Sequence, residues 1–203
     1  MGYRVSLVPL RELRPHEDTN KARAYSLALD ILRRRVLFRP IIVEEKSLTI
    51  IDGHHRLNAL RLIGARLAPV VLASYDKDIV SIGARPRIVR LGLPAYKALD
   101  FVAAAIENNS RRAHTEIAVT LNGETITVRR DPLDANRTLK EILASKKVGE
   151  HGKTTQITLR IPPLSPRHVL RASYEEETMP ARTTLHKTPL KKMFYPVKLN
   201  MLL

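Results

Sequence analysis

Residues 48 to 57 read Leu-Thr-Ile-Ile-Asp-Gly-His-His-Arg-Leu, and this run constrains the chain more than any other. Its β-branched start predicts a buried strand. Leu57, Leu60 and Ile63 then recur at helical spacing, with Gly64 as a C-terminal stop. Strand therefore passes directly into helix through Asp52-Gly53-His54-His55-Arg56. Glycine lets the backbone turn sharply and approach a ligand closely. The free N–H groups and positive dipole end of the helix form an anion site. His54 and His55 add donors, and Arg56 can grip phosphate oxygens in pairs. A carboxylate beside such a site is repulsive unless it holds a metal, a proton or a substrate hydroxyl, which places Asp52 for chemistry. A plainer reading makes Asp52 only the helix N-cap. Zinc fits poorly: adjacent histidines on a helix diverge by about 100°, and no cysteine completes a ligand set.

The surroundings suit an α/β unit over residues 1–78. Residues 3–9 alternate like a strand, and Arg14 to Asp18 form a polar connection. A helix is expected with Tyr25, Leu29, Leu32 and Val36 on its inner face, ending before Arg39-Pro40. Ile41-Ile42-Val43 and Pro69-Val70-Val71-Leu72 read as further buried strands. Residues 79–203 predict a mixed α/β region. Pro94 opens a helix with Tyr96, Leu99, Ala103 and Ile106 on one face. Asn122-Gly123 joins two alternating runs, 116–121 and 124–129, as a β-hairpin. Residues 134–147 suggest a helix and 154–161 a strand. The Pro- and Thr-rich tail from 162 reads as irregular structure wrapping the body. The overall class is α/β (α+β).

Composition narrows the functions available. The 203 residues contain no cysteine, so disulfides and thiol catalysis are excluded. No apolar run approaches the roughly 20 residues that cross a bilayer, and the N-terminus lacks a signal-like core. A cytoplasmic protein is expected, with no membrane partner. The net charge of +15 suits a polyanionic partner, or equally the charged surface of a thermophile's protein. With no Trp and three Phe, stacking on single-stranded nucleic acid has little to work with. Glu175-Glu176-Glu177 reads as a solvated face, and His114 and His151 as surface residues.

Pro40-Ile41-Ile42-Val43, Leu48–Ile51, Asp52–Arg56, Leu57 and Ala59-Leu60 together resemble the core of the ParB/sulfiredoxin-like superfamily, over about residues 5–75. Its members include CTP- and DNA-binding ParB proteins, ATP-using sulfiredoxins and kinases of free L-serine. The sulfiredoxin cysteine has no counterpart here. ParB proteins carry a Gly-Glu-Arg-Arg box where this chain has Gly-His-His-Arg, the form that resembles the free serine kinases.

That resemblance implies a set of roles. Pro15-His16-Glu17 is similar to the segment bearing the kinases' catalytic glutamate, which places the general base at Glu17, assisted by Asp52. Gly53, His54, His55 and Arg56 would bind the nucleotide phosphates. Met179 to His186 is similar to a tail segment that closes over the amino acid, making Arg182, Thr184 and His186 the substrate-binding candidates, with His168 as a rival. ADP or ATP would be the donor and Mg²⁺ the cofactor, with Asp52 as its candidate ligand. The partners implied are a nucleotide and a small amino acid, with weak non-specific nucleic-acid binding. The chain departs from the kinases at Ile82-Gly83-Ala84-Arg85, where they carry a tryptophan-containing stretch. The alternative is a ParB-like nucleotide- and DNA-binding protein without kinase activity.

Overall fold

The computed structural model describes residues 3–107, 115–144 and 155–203; His114 and His151 lie outside them. The chain divides into two compact units. One comprises Met1–Ile82, Ser165–Ala181 and His186–Leu203, the other Gly83–Leu164 and Arg182–Leu185.

In the first unit, β1 (Val5–Pro9), α1 (Lys21–Arg34), β2 (Val36–Leu37), β3 (Ile41–Glu44), β4 (Ile50–Asp52), α2 (His54–Ile63) and β5 (Leu67–Ala73) follow in order, and β6 (Ser81–Gly83) leads out. The main sheet runs β1-β5-β3-β4. β5 is antiparallel to β1 and parallel to β3, while β3 and β4 are antiparallel. Alternation buries both faces. Ile41, Val43, Ile50 and Val70 pack with Leu57 and Leu60 of α2 and Ala28 and Ile31 of α1. Ile42, Ile51 and Val71 face the opposite way, toward Leu190. Pairing of Ile42 with both Val71 and Asp52 holds the Asp52 backbone against the sheet's inner strands.

The second unit contains β7 (Arg87–Leu91), α3 (Ala95–Ile106), β8 (Glu116–Leu121), β9 (Glu124–Arg129), α4 (Pro132–Ala144) and β10 (Thr155–Arg160). Its antiparallel sheet runs β7-β10-β8-β9, and Val102, Ile106, Ile117, Leu139 and Ile157 form the centre of its core. Asn122 and Gly123 both adopt positive φ, 50° and 90°, as a type I′ hairpin requires. The chain then returns to the first unit through α5 (Pro166–Tyr174). After β11 (Leu185–Lys187), β12 (Val197–Lys198) pairs with β2.

Three expectations need correction. Tyr25, Leu29 and Leu32 face outward, at 60%, 50% and 42% exposure, while Ala24, Ala28 and Ile31 are buried. Both sets satisfy a helical period one residue apart, and the alanines win because α1 packs closely on α2. Val36 lies beyond the helix, which ends at Arg34 with Arg35 in a left-handed cap. Tyr96 is likewise exposed, and Ala98 and Val102 take its place in the core beside Leu99, Ala103 and Ile106. The tail is not irregular throughout. Ser165 accepts from the His168 N–H and Pro166 opens the first turn, a capping box that starts α5. His168 is thus the N3 partner of the Ser165 cap.

Candidate active site at the start of α2

β4 ends at Asp52, and Gly53 turns the chain with φ +114°. A Cβ at this glycine would sit 3.0–3.2 Å from the Arg56 guanidinium, so the position needs glycine for both conformation and space. Asp52 is not the helix cap: Gly53 holds that position with no side-chain cap. The Asp52 carboxylate instead pairs with Arg56 and lies 3.6 Å from Lys191 Nζ. Arg56 donates one Nη to Asp52 and the other to the Pro40 carbonyl. Its side chain thus braces the turn from behind. Burial lowers its pKa from the usual value, and the neighbouring Asp52 opposes that shift.

Both histidines of the turn also have defined partners. His54 Nε2 accepts the His16 backbone N–H at 3.4 Å, and His55 Nε2 accepts that of Asn20 at 3.3 Å. Each ring therefore presents a lone pair to the segment between β1 and α1. The His16 and His54 rings meet edge to face with centroids 4.7 Å apart, and His186 lies 6.0 Å from His16. Tyr75 completes the group through a 3.1 Å hydrogen bond between its hydroxyl and His186 Nε2.

Burial keeps this cluster neutral. His54 is lowered to about 3 by burial, with Asp52 opposing and His186, His55 and Arg56 reinforcing. His186 is lowered to about 4 by burial and by Lys191, with Asp52 opposing. His16 falls well below its ordinary value, chiefly through burial and then through His54 and His186. Burial and the charge of Glu44 raise Tyr75 above its usual range. With Nε2 accepting a backbone N–H, a neutral imidazole keeps its Nδ1–H as a donor that suits an anion, and brings no charge into the buried state.

Glu17 joins this cluster through the backbone. Its neighbour His16 donates no main-chain freedom: the His16 carbonyl accepts the Met179 N–H at 2.9 Å, and the Asp18 N–H donates to the Met179 carbonyl at 2.8 Å. The Glu17 carboxylate is 3.8 Å from His16 Nε2, with side chains 9% and 0% exposed. The first unit thus brings together Glu17, Asp52, Gly53, His54, Arg56 and His186. Arg182, at φ +64°, and the buried Thr184 belong to the second unit. Tyr75 and Lys191 escaped the sequence reading, because neither sits in a motif and only the fold carries them to Asp52 and His186. Among the described residues, no three His, Asp or Glu side chains converge to hold a metal by themselves, and no helix is long and apolar enough to cross a membrane.

No family model matches the chain. It is 33% identical over 88 residues to a ParB-like protein of Sulfolobus acidocaldarius, covering 43% of this chain and 44% of that one. It is 27% identical over 79 residues to the ADP-dependent L-serine kinase SerK of Thermococcus kodakarensis, covering 37% of this chain and 33% of that one. The matched region thus spans less than half the length of either relative. Among solved structures, a mutant free serine kinase in complex with ADP superposes with a TM-score of 0.73 at 17% identity, covering 98% of this chain and 94% of that one. C-terminally truncated SbnI from Staphylococcus aureus gives 0.74 at 17% identity, covering 98% and 88%. The chain therefore has the fold of the free serine kinases and SbnI, the ParB/sulfiredoxin-like architecture anticipated from the Asp52–Arg56 turn.

Proposed function

We propose that this chain is a nucleotide-dependent kinase that phosphorylates the hydroxyl of free L-serine or a similar small hydroxyl compound. The observation carrying this reading is the placement of Glu17: its carboxylate lies beside His16, whose ring packs on His54 in the first turn of α2. A carboxylate and a helix-start turn far apart in sequence thereby meet in one unit. The names of similar proteins support the same reading, including a free serine kinase in complex with AMP and variants of it with a glutamate replaced. ADP is the preferred donor on that ground, with ATP as the second candidate.

In this reading the backbone N–H groups at Gly53, His54 and His55 receive the terminal phosphates, while Arg56 keeps the turn in shape. Glu17 accepts the proton of the substrate hydroxyl. The hydroxyl oxygen forms a bond to the terminal phosphorus as the bond to the bridging oxygen breaks. O-phosphoserine and a nucleotide shorter by one phosphate leave. Lys191 faces the charge that collects on the phosphates, in a reaction driven mainly by positioning and charge. Arg182, Thr184 and His186 remain the candidates for contacting the amino acid.

Mg²⁺ commonly binds through one or two carboxylates together with nucleotide phosphates, and Asp52 fits that limited role. It would hold an ion brought by the nucleotide, and the ion would neutralise phosphate charge. The test is direct: incubation with L-serine, Mg²⁺ and ADP or ATP should yield O-phosphoserine, and no product from a panel of small hydroxyl compounds would reject the reading. The +15 charge also favours weak, non-specific contact with nucleic acid.

A further inference from the structure

Glu44, Ser47, Thr49 and Ser173 are all buried, with Thr49 fully inaccessible. Their polar atoms form one chain. Ser47 Oγ lies 2.6 Å from Glu44 Oε2 and also accepts the Thr49 backbone N–H at 3.2 Å. Thr49 Oγ1 lies 2.7 Å from Ser173 Oγ, and Ser173 donates to the Leu170 carbonyl at 2.8 Å. Ser47 Oγ also lies 2.8 Å from Thr49 Oγ1, so the three hydroxyls run in one line from the Glu44 carboxylate to the Leu170 carbonyl. Within this hydrogen-bonded line, Thr49 is the hydroxyl that joins the 44–49 turn to α5.

Backbone flanking Thr49, and backbone a few residues beyond Ser173, bonds the segment that carries Glu17. Flanking Thr49, the Leu48 carbonyl accepts the Arg14 N–H at 3.1 Å and the Ile50 N–H donates to the Arg14 carbonyl at 3.0 Å. Beyond Ser173, the Glu177 N–H turns back to Ala172, and Met179 then brackets Glu17 by bonding His16 and Asp18. Thr178 adds a bond from its hydroxyl to Asp18. The segment from Arg14 to Asp18 is thus held at two points, and the Thr49–Ser173 bond links the two stretches of chain that hold it.

We propose that Thr49 and Ser173 are positioning residues for Glu17, acting through this buried hydroxyl strut without touching nucleotide or acceptor. The inference rests on Glu17 being the general base. Displacing a reacting group by about 1 Å can cost on the order of 100-fold in rate, so a strut of this kind matters to turnover more than to binding.

The experiment compares Thr49→Val, which keeps the shape and removes the hydroxyl, with Thr49→Ser, which keeps the hydroxyl. Serine kinase turnover, ADP affinity and amide hydrogen exchange are measured on each. Thr49→Val should lower kcat by roughly 10–100-fold with ADP affinity unchanged, and Thr49→Ser should recover most of the loss. Exchange at the Asp18 and Met179 amides should accelerate in Thr49→Val while the amides of α2 keep their protection. Unchanged kcat on a verified substrate overturns the proposal, and so does loss of protection spread equally over α2. Should the parent protein phosphorylate no acceptor, the kinase reading fails separately. Exchange at Asp18 and Met179 then decides the strut alone: local acceleration upholds it, and unchanged exchange rejects it. Ser173→Ala, which cuts the same bond from α5, should repeat the Thr49→Val pattern if either variant folds poorly.

Discussion

His16 stands edge-on to His54 with ring centroids 4.7 Å apart, and its backbone N–H is received by the His54 ring. This pair joins the segment bearing Glu17 to the first turn of α2. It works only while the His54 ring nitrogen keeps its lone pair, so the neutrality of the cluster is part of its architecture.

Acid should therefore weaken the fold. The folded pKa values of His54 and His186, about 3 and about 4, lie below the unfolded value of 6.5. As pH falls, the unfolded chain takes up protons first, so stability is full above that unfolded value and declines toward the folded ones. Each such histidine contributes a slope of about 1.4 kcal/mol per pH unit. His186→Gln, measured by urea unfolding from neutral to acid pH, should show a shallower decline than the parent. Parallel profiles would exclude His186 from this linkage.

The turn itself should be intolerant at two positions. Gly53→Ala forces a side chain into positive φ and against Arg56, and is expected to cost about 1–3 kcal/mol. Arg56→Lys keeps the charge but cannot reach both Asp52 and the Pro40 carbonyl, with an expected loss of about 1–2 kcal/mol. Both variants should show a smaller ADP-induced rise in melting temperature. A full-sized rise in both would separate the turn from nucleotide binding.

The basic surface yields a salt-dependent expectation. Binding to duplex DNA should be weak, and its affinity should fall steeply as salt increases, because contact with phosphates releases counterions. Fluorescence anisotropy across a salt series reads this. Tight, sequence-selective binding that persists at high salt would favour the DNA-binding alternative.

Much of this site is legible in the sequence because strand, glycine and helix signals are local. The same holds for the Asn122-Gly123 hairpin and for Gly64 as a helix stop. The inner face of α1 is ambiguous in the sequence because Tyr25, Leu29 and Leu32 match the helical period as well as Ala24, Ala28 and Ile31 do, and only packing against α2 separates them. α5 gives little local signal because Pro166–Tyr174 spans only nine residues, with Val169 and Ala172 as its buried apolar anchors. Arg56 shows a different limit. Its motif suggests a phosphate grip, while its hydrogen bonds turn it back to Asp52 and Pro40. Tyr75, Lys191 and Ser173 reach the site or its supports through long-range folding, which local pattern does not encode.

In the proposed reaction Glu17 takes the proton of an acceptor hydroxyl at a nucleotide site built on α2. The most direct measurement is O-phosphoserine formation from L-serine and ADP by the parent and by Glu17→Gln, with ADP affinity determined for both. Glutamine keeps the size of the side chain and cannot accept the proton. Product should form with the parent, with a loss of about 10²–10⁴-fold in kcat for the variant and equal ADP affinity. Full turnover by Glu17→Gln would contradict that proton transfer, and an effect confined to KM would assign Glu17 to uniform binding instead.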